Sequence, residues 1–200
     1  MSDIAALDPP GAVLEERFVD AMLECISRWG VAKTTADDIA RAAGVSRATL
    51  YRVFPGGKDV ALEALLRHEL ARFFALVDGR LRTAETLEDL LVVGAVDAAE
   101  FLFAHDALSY VLQHEPERVF PVVAMHRMNT GLAIATAFLA PHLGRFVADE
   151  RLAREGAELV VRMLLSYAVD PSPSLDLTDP ESVRRFVRTF VLPALTRKEP

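Results

Sequence analysis

Thr35–Lys58 reads TADDIARAAGVSRATLYRVFPGGK. A helix opens at Thr34 or Thr35, and Thr35 with Asp38 three residues on has the spacing of a capping box. In that motif each side chain accepts a hydrogen bond from the other residue's backbone N–H at a helix start. Ile39, Ala40 and Ala43 fall on one face, where small alanines let a neighbouring helix cross closely. Gly44 supplies a residue free to take positive φ in a tight turn. Val45 turns inward, Ser46 can cap a second short helix, and Leu50 and Phe54 bury the inside of that helix. Arg47, Ala48, Thr49, Tyr51 and Arg52 are left on its outer and leading faces. Pro55, Gly56 and Gly57 stop it, and Lys58 begins the next helix. From Arg41 to Lys58 the charged residues are Arg41, Arg47, Arg52 and Lys58, with no acid among them.

That cationic island sits in an acidic chain. The 200 residues carry a formal charge of −7. Residues 14–58 hold seven cations against six anions, and residues 59–200 hold 15 against 21. The larger part would repel nucleic acid and the smaller part would not. A hydrophobic content of 52% with 26% charged residues marks a folded chain rather than a disordered one. One cysteine, Cys25, excludes an internal disulfide framework and fits a reducing compartment, where its expected role is that of a small buried apolar residue. The N-terminal MSDIAALDPPG is acidic and lacks a basic run before an apolar core, so no secretory signal is expected. The longest stretch without a formal charge, Met128–Gly144, falls short of the roughly 20 apolar residues of a membrane span. We expect a soluble, cytoplasmic protein with no membrane partner.

Around the central stretch the whole chain reads as all-α, with about nine helices. Residues 1–12 are expected to form a flexible arm, because Pro9, Pro10 and Gly11 oppose regular structure. Residues 14, 18, 21, 22, 25, 26 and 29 make the apolar stripe of an amphipathic helix ended by Gly30. Asp59–Arg82 predicts a long helix. Thr86–Ala104 predicts another, so apolar through Leu90–Val96 that it belongs at the centre of a second domain. Asp106–His114 is a short helix, Glu117–Phe138 a long one ended by Pro141 and Gly144. Asp149–Val169 carries Leu152, Leu159, Val160, Met163, Leu164 and Tyr167 on one side. After the loop DPSPSLDLTD, Asp179 before Pro180 starts a last helix with the stripe Val183, Phe186, Val187, Phe190, Val191 and Ala194.

Ala40-x3-Gly44-x5-Leu50 is the steric skeleton of a helix-turn-helix: a small residue at the crossing, a turn glycine and an apolar anchor. With the amphipathic helix before it and Lys58 at the next helix start, TTADDIARAAGVSRATLYRVF resembles the DNA-binding domain of the tetracycline-repressor (TetR) family. The resemblance covers about a quarter of the chain. Two positions depart from it: three residues separate Phe54 from Lys58 where two are commoner, and Val53 stands where a polar or aromatic residue is frequent. The expected organisation is an arm over 1–12, a three-helix DNA-binding domain over 13–58, and a larger helical ligand-binding and dimerisation domain over 59–200.

A helix fits the major groove and its first residues reach base edges. Arg47 and Arg52 can each make paired bonds to guanine, Ala48 and Thr49 are short enough to let the backbone approach, and Tyr51 can offer its hydroxyl to a phosphate. Thr35 and Lys58, each at a helix start, suit phosphate contacts. One such unit makes few base contacts, so a homodimer on a palindromic double-stranded operator is expected. The final two helices, as in the resembling family, are the candidate interface, through Leu159, Met163, Tyr167, Phe186, Phe190 and Val191. The resemblance also implies a cavity for a small apolar effector, for which the middle helices offer Phe101, His105, Tyr110, Met125, Met128, Asn129, Phe138 and Met163. The expected function is a transcriptional repressor released from DNA by that effector. The other reading is a small-molecule-binding or interaction module whose helix-turn-helix no longer reads DNA. Parts of an enzyme are missing: GGKD has Arg52 and Asp59 where a Walker loop needs Gly and Ser or Thr. There is no G-x-S-x-G elbow or H-E-x-x-H pair. The five histidines show no metal-ligand spacing, and no metal or cofactor is expected.

Overall fold

The structure, a computed structural model, describes residues 10–115 and 129–196. Among these residues the regular elements are helices, apart from one isolated bridge between Ser172 and Leu175. The chain divides into two compact units, Met1–His68 and Glu69–Pro200. The division falls inside a helix, ten residues beyond the expected boundary at Lys58, so the first turns of that helix belong with the N-terminal unit.

The N-terminal unit consists of α1 (Pro10–Lys33), α2 (Ala36–Ala42), α3 (Arg47–Val53) and the start of α4 (Lys58–Thr83). Helix α1 begins at Pro10, inside the segment expected as a loose arm. Proline is well suited to a first helical position, since its missing N–H would have had no partner there. Residues 1–9 lie outside the described residues. Gly30 breaks α1 with φ 78° and ψ 171°, as its place after the stripe suggested. Thr34 is buried and its hydroxyl donates to the Gly30 carbonyl at 2.7 Å. Thr35 is therefore the residue that caps α2. Phe18, Met22, Ile39 and Leu50 are fully buried. Phe54 closes the cluster, its ring meeting Phe18 edge-on at 5.5 Å. Cys25 is buried here too, and burial, with Asp38 nearby, pushes its thiol pKa up and keeps it protonated. Trp29, expected on the buried stripe, is exposed.

In the C-terminal unit the rest of α4 is joined by α5 (Leu87–Ala104), α6 (Asp106–His114), α7 (Asn129–Leu143), α8 (Glu150–Val169) and α9 (Pro180–Phe186). A π-helical turn, Val187–Val191, carries α9 into α10 (Leu192–Leu195). Leu90, Leu91, Val92, Ala95, Val96 and Ala99 of α5 are all buried, so α5 is the central element its composition announced. Helix α7 runs through Pro141 rather than ending at it. The lost N–H falls in the last turn, and the Gly144 N–H still reaches the Ala140 carbonyl at 2.9 Å. The segment 116–128, where the expected helix would begin, lies outside the described residues.

Two further departures have local causes. The buried face of α8 is made of Ala153, Gly156, Ala157 and Val160, while Leu159, expected on it, is exposed. Gly156 is required for a close approach: a Cβ there would lie 2.4 Å from Leu195 Cδ2. At the last helix Val183, Val187, Val191 and Leu195 point inward, and Ala194 does not. Pro193 has no N–H and its ring crowds the carbonyl four residues back. The π turn before it accommodates this and keeps the inward residues four apart. Arg145 closes the end of α4, donating to the Leu81 and Ala84 carbonyls at 2.7 Å each. These are carbonyls that the helix end leaves without internal partners.

Candidate nucleic-acid interface

Each end of the α2–α3 pair is fastened by short-range hydrogen bonds. At the start of α2 the Asp38 N–H donates to Thr35 Oγ1 at 3.2 Å and the Thr35 N–H to Asp38 Oδ2 at 3.1 Å, a complete capping box. Those bonds, from the Thr35 hydroxyl first and its N–H second, hold the Asp38 carboxyl below the usual range. Gly44 takes φ 66° in the turn, and the Val45 N–H reaches back to the Ala40 carbonyl at 3.0 Å. Ser46 caps α3 by accepting from the Thr49 N–H at 3.1 Å. From α1, Arg17 donates to the Ala43 carbonyl at 2.7 Å and so fixes the turn from outside. Nothing in the spacing of α1 marks Arg17 for this; it is a contact across 26 residues of chain.

With Leu50 and Phe54 spent on the core, α3 presents Arg47, Ala48, Tyr51 and Arg52 outward, and Thr49 half so. Arg47 lies over the Tyr51 ring, its guanidinium carbon 5.4 Å from the centroid, and donates to the Tyr51 hydroxyl at 3.4 Å. It also pairs with Asp37 of α2 at 3.2 Å. The Tyr51 bond first, and then Asp37, push the Arg47 pKa further up. An exposed pair such as Arg47–Asp37 is screened by water and adds little stability. The Asp37 contact holds Arg47 across the outer face of the helix pair.

The three-residue joint after α3 is absorbed by glycine. Gly56 and Gly57 take φ 131° and 67°, and the Gly57 N–H bonds the Phe54 carbonyl at 2.8 Å. The Lys58 ammonium, expected to face a phosphate, donates to the Val31 carbonyl after the α1 break and is half-buried. Thr35 likewise spends its hydroxyl on Asp38. The base-reading candidates on α3 are thus brought together on one face, and the two flanking candidates each have an internal partner.

The C-terminal unit contains a small apolar cavity of about 60 Å³ between α4, α5, α7 and α8, walled by Phe73, Phe74, Leu90, Phe138, Val161 and Leu164 among others. Of the expected effector residues, Phe138 lines it and Phe101 touches it through Phe73, with ring centroids 5.2 Å apart. His105 packs beside Phe101 and bonds Glu69 at 3.0 Å. Tyr110 stacks on His114 instead. Met163 lines a separate narrow space against the last helix. Asn129 opens α7, and Met125 and Met128 lie outside the described residues. Phe73 and Phe74 read in the sequence as plain helix stripe, and only the fold shows that they wall a space.

Of the expected interface residues, Leu159 is 44% and Phe190 65% exposed. Tyr167, Phe186 and Phe190 form a row of ring contacts at 5.6 and 5.0 Å. Val191 differs: it is 3% exposed and belongs to the core of its own unit. Among the described residues no helix is long and apolar enough to cross a membrane, and no group of three His, Cys, Asp or Glu could hold a metal ion.

A profile of the family described as bacterial regulatory proteins, tetR family, matches residues 18–65, the span from the first core residue of α1 into α4. An HTH-type transcriptional regulator of Mycobacterium bovis is 29% identical over 164 residues, covering 82% of either chain. Among solved structures, the TetR family repressor AlkX from Dietzia sp. strain DQ12-45-1b, implicated in biodegradation of n-alkanes, is similar with a TM-score of 0.66. It is 23% identical over 88% of this chain and 94% of that one. AibR, solved in complex with isovaleryl coenzyme A and operator DNA, is similar with a TM-score of 0.55, at 17% identity over 89% and 98%. The structural likenesses carry the fold, and the sequence matches carry the capped helix pair that the fold displays. Residues 18–65 thus carry the helix-turn-helix DNA-binding domain of the tetR family of bacterial regulatory proteins, in a chain similar over most of its length to HTH-type transcriptional regulators.

Proposed function

We propose that this regulator is a homodimeric, non-enzymatic repressor, acting in the cytoplasm, that leaves a palindromic operator when a small apolar effector occupies its C-terminal cavity. The observation that carries the reading is the outer face of α3. A helix of seven residues, capped at Ser46 and held through Leu50 and Phe54, offers Arg47, Tyr51 and Arg52 with no acid of its own. Arg47 and Arg52 read base edges, Ala48 and Thr49 allow close approach, and Tyr51 contacts a phosphate. Thr35 and Lys58 add phosphate contacts once their internal partners are exchanged. The effector reading is supported by the cavity's apolar wall. Two neighbours of the same fold add support: AlkX, implicated in n-alkane biodegradation, and AibR, which holds a ligand and DNA together. Leu159, Met163, Tyr167, Phe186 and Phe190 form the dimer face.

Helix α4 is the path between the two sites. Its first turns belong to the reader's unit and its last turns wall the cavity. For release, the effector must bind the DNA-free arrangement better than the DNA-bound one. The test is fluorescence anisotropy on genomic fragments that the protein retains, titrated with salt. A reader loses affinity steeply as salt rises. Arg47→Ala is expected to cost about 1–3 kcal/mol at one base position and to relax preference there. A flat salt dependence would favour a module that has lost DNA reading, and an Arg47→Ala variant with unchanged preference would remove Arg47 from the base readers.

A further inference from the structure

Two aspartates stand side by side in the first turn of α2 and are used differently. The Asp38 side chain is 22% exposed and is spent locally, in the capping box with Thr35 and on Arg41. The Asp37 side chain is 53% exposed, and its Oδ2 reaches across to α3, where Arg47 Nη1 donates to it at 3.2 Å. The other end of the same fork, Nη2, donates to the Tyr51 hydroxyl at 3.4 Å. Tyr51 is itself hemmed in at Gly57, where a Cβ would lie 2.9 Å from its ring. Arg47 is thus tied at both nitrogens, whereas Arg52 on the same face makes no hydrogen bond or ion pair among the described residues. Nor does Asp37 Oδ1 have a partner among them.

An acid in the first turn of α2 complements the helix dipole, but Asp38 already does so, and that task needs no reach to the next helix. On a face that meets DNA an exposed carboxylate repels phosphate. Its charge is favourable there only against a donor, and in the major groove the donors are the amino groups of cytosine and adenine. Adenine sets its N7 acceptor beside the amino group, and that lone pair repels a carboxylate. Cytosine carries no acceptor beside its own amino group on the same base. We propose that Asp37 is a specificity residue of the reader: one oxygen holds Arg47 toward a guanine, and the other accepts from the N4 amino group of a cytosine in an adjacent base pair. Successive bases lie about 3.4 Å apart along a strand, so a salt-bridged pair at 3.2 Å is the right size to cover one step. Arg47 can keep both ties and still bond a guanine, because its guanidinium has more N–H groups than these two bonds engage. This assignment rests on the reading of the outer face of α3 as the part that meets bases.

The test is selection from a random-core duplex DNA library by the full-length wild type, Asp37→Ala, Asp37→Asn and Arg47→Ala proteins, followed by sequencing. The wild type is expected to select a guanine with a cytosine in an adjacent pair. Arg47→Ala abolishes the guanine preference. Asp37→Ala abolishes the cytosine preference, a loss of about tenfold, the scale of a hydrogen bond to a charged group. It also weakens the guanine preference, while affinity for a duplex lacking the site rises because a negative charge is gone. Asp37→Asn shifts the cytosine to adenine, which an amide matches with both its acceptor and its donor, a change that damage to the fold cannot imitate. An Asp37→Ala protein that keeps the wild-type pattern and only binds all DNA more tightly overturns the assignment and leaves Asp37 a solvated acid. So does a wild-type motif with no cytosine beside the guanine that Arg47 reads. In either case the reading of DNA by α3 stands alone if Arg47→Ala has lost its guanine. If the wild type selects no sequence, both fail.

Discussion

His142 of α7 is 8% exposed, with its ring against Phe138 and its Nε2 3.3 Å from Asp78 Oδ1. Burial disfavours a charged imidazole and outweighs the contact with Asp78, which favours it, while Arg82 and Arg145 oppose the charge further. Its pKa is therefore lowered from the ordinary 6.5. The unfolded chain then takes up the proton before the folded one does, so stability rises with pH where the two differ. Above about 6.5 both states are neutral at this residue and its contribution is complete; as pH falls below that value stability is lost. Replacing His142 with Gln is expected to flatten the dependence of Tm on pH between about 6.5 and the lowered value. Equal slopes in the two proteins, measured by circular dichroism, would show that other groups carry the dependence. Residues of this kind divide by how far their partners lie along the chain. Thr35, Asp38, Gly44 and Ser46 were legible because a cap or a turn is satisfied within three or four residues. The Arg17 bond to Ala43, the Lys58 bond to Val31 and the His105–Glu69 pair were not. Their partners are set by which helices meet, and no local spacing encodes that.

The joint between α3 and α4 shows the same division within one element. The sequence marks Pro55-Gly56-Gly57 as a stop with one residue more than the common family pattern, but does not say where that residue goes. In the fold both glycines take positive φ, and Gly57 also clears space for the reader: a Cβ there would come 2.9 Å from Tyr51 Cε1. The extra residue thus seats Tyr51 as well as ending the helix. Gly57→Ala would meet both the backbone penalty and the Tyr51 ring, and is expected to cost about 1–3 kcal/mol in urea unfolding. It should also weaken DNA binding across all sequences, since the contact proposed for Tyr51 is to a phosphate rather than a base. Tyr51→Phe keeps the ring and loses only the hydroxyl. If Gly57→Ala leaves affinity intact while Tyr51→Phe lowers it, the glycine serves the backbone alone. Helix ends elsewhere were legible for the same reason as the caps. The π turn was not, because it answers Pro193 and the packing of Leu195 on Gly156 together.

At the scale of the whole molecule the charge division and the exposed apolar row bear on one question, how the proposed dimer would bring two readers to one operator. The reader's unit is close to neutral overall, so a single copy has only its few cations to hold DNA. Two copies double the phosphates engaged without any new residue. The row Tyr167–Phe186–Phe190 with Leu159 is the surface suited to join them. It is apolar, it comes from the last two long helical stretches, and Phe190 keeps 65% of its surface exposed in a single chain. Val191, one residue on, is withheld from it by the π turn and serves the subunit's own core. The two neighbours can therefore be separated by mutation. Phe190→Asp is expected to convert a dimer to a monomer in sedimentation equilibrium while changing the stability of the single chain by no more than about 0.5 kcal/mol, as exposed substitutions do. Val191→Ala should do the reverse, costing about 0.5–1.5 kcal/mol or somewhat more of stability with the dimer retained. A monomeric Phe190→Asp protein would still hold a half-site. Its plot of log affinity against log salt should have about half the slope of the dimer's, because the slope counts phosphates neutralised. A Phe190→Asp protein that stays dimeric would place the two-fold contact on another face, and an unchanged slope in a proven monomer would mean that one reader makes all the phosphate contacts.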